Sequence, residues 1–125
     1  MERQFDITAE FDYDLRQLPA ADRSLIVRSL DYWGGRIDAG SGEVPTQILF
    51  QPSNISSLND VEPSLYGMRI GERLRLILTV EHDPLFEQDV WTLIRAVPKA
   101  QFETAFQTAA DLLYPQLQDA SVKHG

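Results

Sequence analysis

The sequence predicts an α+β fold, with an N-terminal strand and a helical hairpin packed on an antiparallel sheet and a C-terminal helix closing the domain. Three observations carry this. Leu74, Leu76, Leu78 and Val80 alternate with Arg73, Arg75, Ile77 and Thr79, the clearest period-two pattern in the chain. Apolar residues recur at helical spacing before residue 34 and again after residue 98. Strand and helix patterns are segregated in the order strand, helix, helix, loop, strand, strand, helix, rather than alternating. A chain of 125 residues suits one domain, expected over 1–117 with a flexible tail at 118–125.

From Arg3 to Ala9 the pattern is a short half-buried strand, with Phe5, Ile7 and Ala9 on one side and Gln4, Asp6 and Thr8 on the other. A helix follows from about Glu10 to Leu18, carrying Phe11, Leu15 and Leu18 on one stripe, with Thr8 as N-cap. Pro19 breaks it and suits the start of a second helix, to about Trp33, with Leu25, Ile26, Leu30 and Trp33 aligned. Asp22 lies in the first turn, where the helix dipole favours an acid. Gly34 and Gly35 should end that helix through a left-handed residue.

Residues 37–63 hold three prolines and two glycines and show no clear period. Two readings stay open: a functional or mobile loop, or a poorly patterned strand around Ile48-Leu49-Phe50. Leu65 to Val97 organises the rest. Tyr66, Met68 and Ile70 share a face, and Gly71-Glu72 reads as a bulge or local kink before the alternating run. The even positions should meet the helical hairpin. EHDPLFEQD is a turn, and Val90 to Val97 is a nearly continuous apolar strand, as a central strand requires. Pro98 stops it. A last helix carries Phe102, Phe106, Ala109 and Leu113, ending at Pro115.

The net charge is −8, with five basic and eleven acidic residues in 1–65, five and five in 66–99, and one and three in 100–125. Such a surface repels nucleic acid at long range, so any RNA contact belongs to the middle segment; solubility alone also explains the charge. No apolar run approaches the length of a membrane span, and MERQFDITAE lacks signal-peptide character, so the cytoplasm is the expected compartment. With no cysteine and two histidines, thiolate chemistry is excluded, and neither a metal nor a cofactor is expected. Gly40-Ser41-Gly42 lacks the lysine of a phosphate loop, and Ser56 and Ser57 lack a nearby base.

The concentrated positive charge lies on the strands. Arg73 and Arg75 fall on the odd face of one strand, Arg95 on its neighbour, and Arg69 and Lys99 at the ends. Pairing of the strands through EHDPLFEQD would bring Arg75 and Arg95 onto one face, within reach of one phosphate. Guanidinium groups donate paired hydrogen bonds to phosphate, stay charged, and can stabilise a developing phosphorane. The competing reading pairs these arginines with Glu72, Glu81 or Asp89, or lays them over apolar neighbours. His82 and Asp83, adjacent on the chain, point to opposite faces and form no dyad.

Three stretches carry a resemblance. FDYDLRQLPAADRSLIVRSL, SSLNDVEPSLYGMRIGERLRLIL and WTLIRAVPKAQFETAF resemble the helical hairpin, the strand pair and the last strand with its helix in the RelE/ParE toxin superfamily. That resemblance implies a bacterial toxin–antitoxin toxin-like domain, an antitoxin-like protein partner and, in the ribonuclease branch, action on mRNA. Arg75 matches the arginine on that branch's penultimate strand; Arg95 or Lys99 matches the one on the last strand. Arg75 and Arg95 are then the candidate catalytic residues, with Arg69, Arg73 and Lys99 binding RNA or a partner. Where some members have a tyrosine, this chain has Phe102 or Phe106, and Asn59, Asp60 and Glu62 replace the usual lysines. A gyrase-directed branch is a further implication, and a non-catalytic protein-binding module on the same fold is the alternative.

Overall fold

A computed structural model describes residues 2–37, 47–51 and 65–113. The expected tail at 118–125 and most of 37–63 lie outside the described residues. In chain order the elements are β1 (Glu2–Ile7), α1 (Ala9–Gln17), α2 (Ala20–Gly34), β2 (Leu49–Phe50), β3 (Leu65–Ile70), β4 (Leu74–Asp83), β5 (Gln88–Pro98), a 3-10 turn (Lys99–Gln101) and α3 (Phe102–Leu113). The strands form one five-stranded sheet in the order β1-β5-β4-β3-β2.

The N-terminal strand enters this sheet as an edge, parallel to β5, whereas all other pairings are antiparallel. The sheet is therefore mixed rather than wholly antiparallel. A helical hairpin intervenes between β1 and the remaining strands, so the chain can lay β1 alongside β5 in the same direction. Edge position also explains Ile7, expected on the buried side but 57% exposed.

Local chemistry sets the helices. The Thr8 hydroxyl accepts from the Phe11 amide at 3.2 Å, capping α1, and donates to the Leu93 and Ile94 carbonyls. Pro19 occupies the N-cap of α2. Gly35 closes α2 with φ −83°, so the expected left-handed end does not form. Gly34 serves close approach instead: a Cβ there would meet Phe5 Cζ at 2.8 Å.

The main revision concerns Leu65 to Val80. It is not one kinked strand. Gly71 takes φ +60° and turns the chain, so β3 and β4 pair with Arg69 opposite Arg75 and Met68 opposite Leu76. Glycine adopts that conformation without a Cβ clash.

Leu74, Leu76, Leu78 and Val80 pack beneath α1 and α2 with Phe11, Ile26, Leu30, Trp91 and Leu93, as the period-two pattern predicts. The odd face is not open. Ile77 joins Leu65, Val97, Phe102, Phe106, Ala109 and Ala110 in a second core under α3. β4 is thus sandwiched between two helical layers. We expect Gly71→Ala to lower stability by about 1–2 kcal/mol through left-handed strain, read as a shifted urea midpoint with an unchanged slope.

Candidate functional site

The β3–β4 turn and the exit from β5 meet at one end of the sheet. There the Lys99 amide donates to the Arg73 carbonyl at 2.8 Å, and Leu74 stands opposite Pro98 in register. Arg69, Arg73, Arg75 and Lys99 collect at this end. Arg95 does not.

Arg69 and Arg75 are cross-strand partners on the α3 side of the sheet. Like charges placed directly opposite are unfavourable unless something neutralises them. Arg69 is exposed and lies over the Phe50 ring at 4.1 Å, a cation–π contact. Phe50 in turn leans on Phe102, which leans on Phe106, with ring centroids 5.1 and 5.3 Å apart. Arg75 is buried, and its Nη1 donates to the Gly71 and Leu74 carbonyls at 3.2 and 2.7 Å. Burial, and then the charge of Arg69, hold its pKa below the ordinary arginine value. Among the described residues neither arginine forms an ion pair with a carboxylate. The arrangement can receive an anion: Arg69 offers an exposed fork, with Arg75 paired across the strand boundary.

Arg73 and Lys99 flank this pair. Arg73 is held loosely, with Nη2 at 3.3 Å from Asp22 Oδ1 of α2 and the side chain 82% exposed. Both line a shallow cleft of about 710 Å³ that also contains Glu72, Glu103 and Thr104. Its charges are mixed.

The expected joint Arg75–Arg95 site is not assembled. Between Ile77 and Leu78 the register slips, so that Ile77 faces Arg95 and Leu78 faces Leu93. Ile94 is the extra residue. It packs on the α3-side core, while Arg95 is re-aimed toward α1. There Arg95 Nε and Nη2 donate to Asp14 Oδ2 and Oδ1 at 2.7 and 3.3 Å, and the Ala96 amide donates to the same carboxylate at 2.9 Å. Arg95 braces α1 to β5, and no phosphate can meet it together with Arg75 across the sheet.

Sequence reasoning missed three contacts: Phe50 under Arg69, Asp14 with Arg95, and Asp89 with His82 rather than with an arginine. His82 Nδ1 lies 3.1 Å from Asp89 Oδ1, and the two are register partners on β4 and β5. Asp89 is buried and His82 is exposed, so the pair is a cross-strand clasp at the surface of the sheet. Reading Gly71 as a turn would have placed Arg69 opposite Arg75. Phe50, Asp14 and Asp89 carry no such local signal. Among the described residues no three His, Asp or Glu side chains converge to hold a metal ion, and no helix is long and apolar enough to cross a membrane.

Fold and site together define a small α+β domain with a five-stranded sheet between two helical layers and a paired-arginine surface beside its C-terminal helix. No family model matches the chain, and no curated protein matches it in sequence. Among solved structures it is similar to a chain in the crystal structure of the archaeal RelE–RelB complex from Pyrococcus horikoshii OT3. The TM-score is 0.50 at 18% identity, over 79% of this chain and 97% of that one. The fold is RelE-like.

Asp14→Ala should cost about 1–3 kcal/mol, because it strands a guanidinium and a backbone amide together. A double-mutant cycle with Arg95→Ala, followed by chemical denaturation, should return a coupling of about 1 kcal/mol or more.

Proposed function

We propose that the chain is a RelE/ParE-like toxin-family protein that grips RNA phosphate through Arg69 and Arg75, with Arg73 and Lys99 steering the strand. The observation that carries this reading is the Arg69–Arg75 pair, opposed across two strands of a RelE-like fold without a described carboxylate between them. A phosphate would relieve the repulsion and take up guanidinium donors at once. On RNA, the neighbouring 2′-oxygen attacks the phosphorus and the 5′-oxygen of the next nucleotide leaves, giving a 2′,3′-cyclic phosphate, with water taking the hydroxyl proton and returning one to the leaving oxygen. The protein's part then reduces to positioning and to stabilising charge on the phosphorane, tasks that need no titrating side chain. Arg75 is the group proposed to do this. Arg95 stays a structural brace. A small antitoxin-like protein is the proposed partner; the similar archaeal structure is itself a two-protein complex.

A second reading has support of its own. Phe102 and Phe106 stand where some toxins carry a tyrosine, both are buried, and neither can move a proton. With a net charge of −8, the same fold would then serve as a non-catalytic protein-binding module.

Inducing the wild type in a bacterium should arrest growth and shorten bulk mRNA, and Arg75→Ala should relieve both. No growth effect from the wild type would sink the toxin reading. Growth arrest with intact mRNA would favour the binding module. In vitro, Arg69→Ala should weaken RNA binding at all sequences alike and reduce the salt slope by about one.

A further inference from the structure

We propose that the β4–β5 turn is a docking knob that seats in the α1–α2 groove of a second copy of this chain. Leu85 and Phe86 at the turn are 80% and 68% exposed, so two large apolar side chains stand in water side by side. The turn that presents them is fixed. Asp83 Oδ1 accepts from the Leu85 amide at 2.9 Å and from the Phe86 amide at 3.4 Å. Glu87 closes it with φ +50°, a left-handed conformation that non-glycine residues adopt only at a cost. Asp83 and Glu87 give the knob an acidic rim.

The opposite surface exists on the same molecule. Between α1 and α2 runs a groove of about 790 Å³ with Leu15, Ala20 and Val27 in its walls and Arg23 and Arg28 on its rim. Val27 is 61% exposed there. Arg23 and Arg28 donate to helix carbonyls, of Leu18 and Ser24, and form no ion pair among the described residues. An apolar knob with an acidic rim therefore matches an apolar groove with a basic rim.

The knob cannot reach its own groove. Asp22, at the start of α2, pairs with Arg73 of the β3–β4 turn, while Asp31, near the end of α2, is 3.8 Å from Arg3 at the start of β1. Because Glu2 of β1 stands beside Gln88 at the knob end, α2 starts at the end of the sheet away from the knob, and the Ala20 and Arg23 part of the groove lies there. Two copies lying antiparallel about a two-fold axis satisfy both knobs and both grooves together. Either contact alone is small; closing both at once makes the second effectively intramolecular.

Sedimentation equilibrium of the purified full chain over a concentration series tests this. The wild type should pass from one chain to two as concentration rises. Leu85→Ser with Phe86→Ser should weaken the dimer by at least about tenfold, the scale of a lost interface anchor. Arg28→Glu should weaken it likewise, and adding Glu87→Arg to Arg28→Glu should restore it. All these positions are exposed, and circular-dichroism melts of each variant check that the fold is intact. A wild type that remains monomeric throughout overturns the proposal. So does a dimer indifferent to the knob variant, or one that loses the knob contact without responding to Arg28, since the groove would then hold another occupant.

Discussion

From Leu74 to Val80 every side chain of β4 is buried, so the strand must be covered on both faces. A strand that is apolar on both faces must bury each of them against another element. α1 and α2 supply one and α3 the other, and β3, β4 and β5 each send side chains into both cores. This constraint explains why a chain with a predominantly acidic surface keeps an arginine inside. Arg75 lies in that stretch with only 7% of its surface exposed, and it survives there because two backbone carbonyls accept from its Nη1, which leaves the rest of the guanidinium for a ligand. The positive site is thus a product of the packing, held from below by the same strand that holds the core.

Much of this was legible in the residues. Period two in Leu74–Val80 gave the face that meets the helical hairpin, Thr8 gave the cap of α1, and Phe102, Phe106 and Ala109 gave the buried stripe of α3. What escaped did so for physical reasons. Ile77 between Arg75 and Thr79 mimics the polar side of an amphipathic strand, so the second core was hidden by its neighbours. Gly71 was ambiguous because a bulge and a tight turn both use a left-handed glycine. The resemblance implied a strand pair at this point, and the turn at Gly71 is that pair.

The candidate site was legible in composition and illegible in geometry. Four of its five proposed basic residues do gather at one end of the sheet, as clustering on adjacent strands suggested. The fifth, Arg95, was separated by a single extra residue. Counting positions along two strands assumes an unbroken ladder, and the slip at Ile94 defeats the count. Asp14, which captures Arg95, lies 81 positions away and belongs to a helix whose placement no local pattern reveals.

Thr8 joins parts of the chain made at very different times. It caps α1 locally, yet its hydroxyl also bonds to carbonyls 85 and 86 residues further on. β1 has only β5 as neighbour in the sheet. On a ribosome, where domains fold as the chain emerges, β1 must therefore wait for β5. Closing so long a loop before its contacts reward it makes this step slow. The N-terminal strand is then the final stave of the sheet, and until it docks the edge of β5 is open to whatever other strand the cell presents.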